Sequence, residues 1–187
     1  MEVNSEEEYP MLKKIDNYLF DLRDKIGEGS FSRVYKGSNI LNSATVALKK
    51  VRISDVKSKI ARRLLDWEVS ILREVRHSNI IACLDIHFSV NNCYIVTEYC
   101  EGGNLYDLLR KGQLLPSAVP KIIYSVSQAL AYLSSLGIVH RDIKVSNIFL
   151  AGDTYKVGDF GFAIKARNNF KDVSIGSPIY MSPEGLI

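Results

Sequence analysis

Just after Val51 the hydrophobic period of the sequence changes, and with it the kind of structure the chain can form. Up to that point the sequence reads as short strands, Tyr18–Ile26, Arg33–Lys36 and Ala44–Val51, separated by a glycine-bearing turn and the polar loop Asn39–Ser43. Between Val56 and Val75 the apolar residues fall instead at Ile60, Leu64, Trp67, Ile71 and Val75. Steps of three and four place them on one side of an amphipathic helix. Strand-like runs return at Leu84–Val90 and Cys93–Tyr99, joined by the turn residues Asn91 and Asn92. After Gly102 and Gly103 the pattern predicts helices over Asn104–Lys111 and Ser117–Ser135, then short strands and loops. A β-rich half with one helix, a Gly-Gly linker and a helical half predict an α+β chain of two unlike lobes, and a cleft between such lobes is a common ligand site.

Composition agrees with a packed domain. Of 187 residues, 47% are hydrophobic and 24% charged, which excludes a disordered, collagenous or coiled-coil chain. A net charge of +3 is too mild to argue for nucleic acid or a membrane surface. Cys83, Cys93 and Cys100 are odd in number and show no CxxC spacing, so they propose neither a disulfide framework nor a zinc site. The first ten residues carry Glu2, Glu6, Glu7 and Glu8 where an export signal would be basic and then apolar. The expectation is a reducing compartment, the cytoplasm or else the nucleus. Ile122–Val139 lacks formal charge and reaches spanning length, but its bulky residues are one-sided, with serines and Gln128 between them. It reads as a core helix, and no membrane span is expected.

Three groups of residues carry chemistry. The first is Gly27-Glu28-Gly29-Ser30-Phe31-Ser32, a turn between strand-like runs. No helix opens after its glycines, so a dinucleotide-binding turn is not indicated, and the G-x-x-x-x-G-K-[ST] loop is absent. What remains is a β-turn-β flap whose backbone could lie over phosphates, or a plain hairpin turn.

The second is Lys49, which alternation places on one face of its strand with Thr45, Ala47 and Val51. A lone ammonium among largely apolar neighbours wants a partner. Glu68, beside the apolar stripe of the following helix, offers one, because an unpaired buried charge is costly. The alternative is that both ends reach solvent independently, and surface ion pairs stabilise little.

The third and most specific group is His140-Arg141-Asp142 through Asn147, followed by Asp159-Phe160-Gly161. Two carboxylates 17 positions apart, with an Asn five after the first, make a sensible phosphoryl-transfer set. Asp142 can accept a hydroxyl proton, Asn147 and Asp159 offer hard oxygen ligands to Mg2+, and Lys144 can neutralise charge on the transferring group. Taken singly, each Asp could be a loop turn or a helix cap.

In this order the motifs resemble the eukaryotic serine/threonine protein kinases, from Ile26 to Glu184. The glycine flap is Gly27–Val34, the V-A-I-K element Val46-Ala47-Leu48-Lys49, the helix glutamate Glu68, and the A-P-E element Ser182-Pro183-Glu184. The resemblance implies a bilobal kinase-like fold: an acidic extension over 1–17, an N-lobe with hinge over 18–100, and the first part of a C-lobe over 101–187. It implies ATP and Mg2+ as cofactors. Nucleotide would contact the flap residues Ile26, Gly27, Glu28, Gly29, Ser30, Phe31, Ser32, Arg33 and Val34, with Ile26, Val34 and Ala47 above the adenine and Phe149 beneath. Glu98 and Cys100 would offer backbone groups to its edge, with Thr97 as gatekeeper, and Lys49 would hold the α and β phosphates, positioned by Glu68. Lys144 and the Gly176-Ser177-Pro178 run imply a protein Ser or Thr hydroxyl as acceptor. Locally the motifs are similar to those of the NIMA-related and autophagy-initiating branches.

Three departures from the family pattern carry further expectations. Ser32 replaces the third glycine of the flap and should stiffen it modestly. Val173 occupies a position where many relatives are phosphorylated, while Ser174 follows it. An upstream kinase acting on Ser174 would create a phosphate that Arg141 or the basic Arg62/Arg63 end of the first helix could receive. Finally, the sequence stops three residues after Glu184, before helices that in the family support the catalytic loop. The expectation is a truncated chain, unstable or weakly active alone. The alternative function is accordingly an impaired fragment acting as a nucleotide- or kinase-binding module.

Overall fold

The computed structural model describes residues 11–166. Within them the chain divides into two compact units, one of residues 11–56 with Leu84–Tyr99, the other of Lys57–Cys83 with residues 100–166.

The first unit is built on a six-stranded antiparallel sheet of β1 (Leu12–Ile15), β2 (Tyr18–Glu28), β3 (Ser32–Asn39), β4 (Thr45–Arg52), β5 (Cys83–Phe88) and β6 (Asn92–Glu98). The strand order is β1-β2-β3-β4-β6-β5. The sequence reading placed the first strand at Tyr18; β1 precedes it, and Leu12 to Ile15 pair with Asp21 to Tyr18 through a two-residue turn in which Asp16 takes a φ of 48°. The run Leu12-Lys13-Lys14-Ile15 lacks strict alternation and is mostly exposed, which is why the pattern hid it. Val46 and Leu48 alternate onto one face of β4 and are fully buried there with Phe20, Tyr35 and Val96. Aromatic packing dominates this core: the Phe20 ring lies 5.4 Å from Tyr35 and 6.3 Å from Tyr94, both tilted.

The second unit holds three helices, α1 (Lys59–Glu74), α2 (Leu105–Arg110) and α3 (Val119–Ser135), and four short strands, β7 (Ile138–Val139), β8 (Ile148–Ala151), β9 (Thr154–Val157) and β10 (Ile164–Lys165). Helix α1 starts where Ser58 accepts a hydrogen bond from the Ala61 N–H, a serine cap that satisfies one of the orphan donors of the first turn. Helix α2 is capped likewise by Asn104, which accepts from the Asp107 N–H. Helix α3 enters through Pro116 and Pro120, and its buried face is Ser125, Ala129 and Leu133. Leu105, Ile148 and Tyr155 form a buried cluster with Ile122, Val126 and Leu150 packed against it. No helix among the described residues is long and apolar enough to cross a membrane.

Two pairings hold the strands that matter for chemistry. Strands β8 and β9 form a hairpin with Ile148 opposite Val157. Val157 is also bound from its other side, donating to the Asn79 carbonyl at 2.8 Å and accepting from the Ile81 N–H at 2.9 Å. The segment just beyond β9, which bears Asp159, is thereby anchored on two sides.

Candidate active site

The second unit assembles the His140–Asn147 loop. Asn147 is 5% exposed, and its Nδ2 donates to both the backbone carbonyl of Asp142, at 2.9 Å, and the Asp142 Oδ2, at 2.8 Å. The Lys144 Nζ stands 2.8 Å from the same Oδ2, with the Asp142 side chain 1% exposed and that of Lys144 24%. A carboxylate so removed from water is costly unless its charge is met by ion pairing and donors, and here both are supplied by the loop itself. The sequence reading placed these three residues in one reaction; the structure brings their side chains into direct contact.

His140 explains how the loop keeps its shape. Its ring is buried, edge-on to Phe160 with centroids 4.8 Å apart. The Asp142 N–H donates to Nδ1 at 3.3 Å, which assigns the ring proton to Nε2, 3.1 Å from the Gly158 carbonyl. Burial holds the His140 pKa below its ordinary value, outweighing the opposing pull of the Gly158 carbonyl and the Asp159 and Asp142 charges. The neutral ring therefore bridges the loop to the residue before Asp159. Arg141, at a φ of 65°, donates from Nε to the Phe162 carbonyl at 2.8 Å, a second tie between the two motifs.

A third tie is the Gly158 N–H, which donates to the Asn147 carbonyl at 2.9 Å. It sets Asp159, an exposed residue at a φ of 57°, one position beyond a backbone bond to Asn147. An amide oxygen and a carboxylate in neighbouring backbone positions are the hard oxygen donors that Mg2+ takes, so the residues present fit that ion. Phe149 follows on β8, and an added Cβ at Gly158 would meet its ring at 3.1 Å, so glycine is needed for this approach.

Residues that pattern reasoning missed hold β8 from below. Glu101 accepts from the Gly152 N–H at 2.6 Å. Gly102 donates to the Leu150 carbonyl at 3.0 Å, and Leu150 donates back to Gly103, whose φ is 69°. A Cβ at Gly102 would lie 2.8 Å from the Leu150 carbonyl oxygen and side chain. The sequence showed Gly102 and Gly103 only as punctuation. Their role as a docking strip for β8 has no signal short of the fold. Cys100 is buried, and its carbonyl accepts from the Gly103 N–H at 3.1 Å.

In the first unit, Gly27 pairs in register with Val34, and the Gly29 N–H donates to the Ser32 carbonyl at 2.8 Å, closing a tight turn over Ser30 and Phe31. Ser32 does take up room: its Oγ would lie 3.0 Å from a Cβ at Gly29. Glu28 is held by Lys25 at 2.7 Å and Arg33 at 3.3 Å, both lowering its carboxyl pKa. Ile26 is exposed, Val34 stands opposite Lys49 across β3 and β4, and Ala47 stands opposite Thr97 across β4 and β6. Glu98 ends β6, paired with Val46. In the second unit Glu68 lies on α1 and is 5% exposed, on the face with Val69, Ile71 and Leu72. Arg63 lies over the Trp67 ring, 5.2 Å from its centroid. Val173, Ser174, Ser177 and Glu184 lie outside the described residues.

An antiparallel sheet with a glycine turn, a buried Asp-Lys-Asn loop and an adjoining Asp-Phe-Gly turn are each features that recur in protein kinases. Comparison with known proteins agrees: the model of the protein kinase domain matches residues 20–186, and the chain belongs to the protein kinase family. It is 38% identical over 167 residues to cell division control protein 7 of Schizosaccharomyces pombe, covering 87% of this chain and 15% of that protein. It is 33% identical to the human serine/threonine-protein kinase ULK1, covering 91% and 17%, and 36% identical to the serine/threonine-protein kinase atg1 of Dictyostelium discoideum, covering 92% and 27%. The chain thus spans about a quarter or less of the length of these three relatives.

Proposed function

We propose that the protein transfers the γ-phosphoryl group of ATP to Ser or Thr hydroxyls of protein substrates. The observation that carries this reading is the contact of Asn147 and Lys144 with one oxygen of the buried Asp142 carboxylate. In the reaction, Asp142 receives the acceptor hydroxyl proton as that oxygen attacks the γ-phosphorus and the bond to the ADP oxygen breaks. Lys144 holds Asp142 in place and balances charge on the group in transit. Asn147 and Asp159 would hold Mg2+, which when bound neutralises phosphate charge. Lys49 takes the α and β phosphates, with Glu68 as the carboxylate that orients it, a reading supported by the motifs in which the two residues stand. The flap from Ile26 to Val34, Ala47, Phe149 and the backbone at Glu98 and Cys100 make up the nucleotide contacts.

The same reading gives the acceptor a protein context, since the Asp-Phe-Gly to Ser-Pro-Glu segment accompanies protein substrates in the family. It includes control by an upstream kinase at Ser174 and a cytoplasmic location. Incubating the full chain with magnesium and γ-labelled ATP and a basic protein substrate, followed by phosphoamino acid separation, tests it. Labelled phosphoserine or phosphothreonine is expected; nucleotide binding with no transfer, even with an extended C-terminus, would favour a binding module instead.

A further inference from the structure

Strand alternation gives the sheet of the first unit two faces, and Lys49 lies on one of them. Val34 and Lys49 stand opposite each other across β3 and β4 and share that face; the adjoining register pair, Arg33 and Lys50, lies on the other. Like charges directly opposite in a sheet repel, and of the two only Arg33 has a carboxylate beside it among the described residues, Glu28 at 3.3 Å. On this face Lys50 follows Val46 and Leu48, both fully buried, and stands opposite Tyr94. Its ammonium is partly buried, and the charges felt there are those of Arg52, Lys13 and Arg33.

The neighbouring acids are already engaged. Glu28 pairs with Lys25 and Arg33, and Asp55 stands 3.7 Å from Arg52. Among the described residues none pairs with Lys50. These groups border a pocket of about 100 Å³ that is walled by the Gly29–Ser32 turn, Tyr35 and Arg52. Setting Lys13, Lys25, Arg33, Lys50 and Arg52 against Glu28 and Asp55 leaves positive charge in excess, which suits a phosphoryl dianion.

We propose that this pocket is an exosite for a phosphorylated Ser or Thr on a protein segment, gripped by Lys50 and Arg52 on the sheet face away from Lys49. A peptide fits better than a membrane. Anionic lipid surfaces are held by clusters of about four to eight basic residues, whereas Glu28 and Asp55 interrupt the cations of this small pocket. Phe31, 46% exposed at the rim, offers apolar contact to the residues flanking a phosphorylated side chain.

The test is calorimetric titration of the full chain with a short Gly/Ala peptide carrying one phosphoserine. Binding is expected for the phosphorylated peptide and not for its unmodified twin. Lys50→Gln and Arg52→Gln should each weaken it about tenfold or more, while Lys50→Arg retains it. The ligand-free thermal midpoint of Lys50→Gln should equal or exceed that of the parent, because a like-charge pair is removed; a merely structural Lys50 would lower it. Equal affinity in the parent and Lys50→Gln would overturn the proposal, as would equal binding of both peptides or binding of neither. Lys50-dependent binding of phosphatidylinositol bisphosphate vesicles without peptide binding would overturn it in favour of a lipid surface.

Discussion

Asn147 donates through one amide nitrogen to both the carbonyl and the carboxylate of Asp142, five residues earlier, at 2.9 and 2.8 Å. The two groups are 5% and 3% exposed, so this single side chain closes the loop and satisfies a buried anion together. Asn147→Ala should therefore cost about 1–3 kcal/mol by removing a donor shared by two buried acceptors, with Lys144 still beside the carboxylate. Denaturant midpoints measure that loss. Asn147→Asp should recover none of it at pH 7, because it sets a second carboxylate against Asp142; recovery at low pH, as one carboxyl protonates, is the expected signature.

Lys144 shares Asp142 Oδ2 with Asn147 but is 24% exposed at its side chain, so its loss should be felt more in the reaction than in the fold. Lys144→Met should lower kcat by about 10²-fold, the scale of a lost charge-stabilising donor, while leaving the KM for ATP near its parent value. Steady-state kinetics at varied ATP and peptide separate the two.

Both expectations depend on a loop whose chemistry could be read from residue types and spacing, while its geometry could not. His140-Arg141-Asp142, Lys144, Asn147 and Asp159 form a set that few chains assemble by accident, and the strand and helix periods around Leu48 and Leu64 were plain. Pattern failed where the reason for a residue lies in another segment. Nothing near Glu101 says that it will cap the Gly152 N–H, 51 residues away. Nothing near His140 reveals that its ring proton is aimed at the Gly158 carbonyl. Strand β1 was missed because Lys13 and Lys14 interrupt any alternation, and its partner β2 supplies the order that its own sequence lacks.

The depressed pKa of His140 carries a pH dependence whose sign is fixed. Folding favours the neutral ring, so the stabilisation is full above the unfolded value of 6.5 and declines as pH falls from there toward the lower folded pKa. Urea midpoints taken from pH 8 to pH 5 should fall more steeply in the parent than in His140→Gln, which lacks the titration. Parallel curves would mean that His140 is not held neutral by burial.

Gly102→Ala tests the strip that supports β8. The added methyl would lie 2.8 Å from the Leu150 carbonyl oxygen and its side chain, so the strip or β8 must move. The cost should be about 1–3 kcal/mol, the range for overpacking. Since Phe149 and Asn147 ride on the same segment, kcat and the KM for ATP should both worsen. Gly112→Ala, with its φ of 65° but no neighbour within 4 Å of an added Cβ, should cost stability through backbone strain alone and spare the kinetics.

Under the proposed function, Asp142 takes the acceptor proton in a phosphoryl transfer that this loop organises. The most direct measurement is the single-turnover rate of γ-phosphoryl transfer from magnesium-ATP to a serine peptide, compared between the parent chain and Asp142→Asn, with ATP affinity measured on both. A fall of about 10²-fold or more in transfer is expected, with ATP affinity changed little. A rate unchanged by Asp142→Asn, in a chain that still binds ATP, would contradict that role for Asp142.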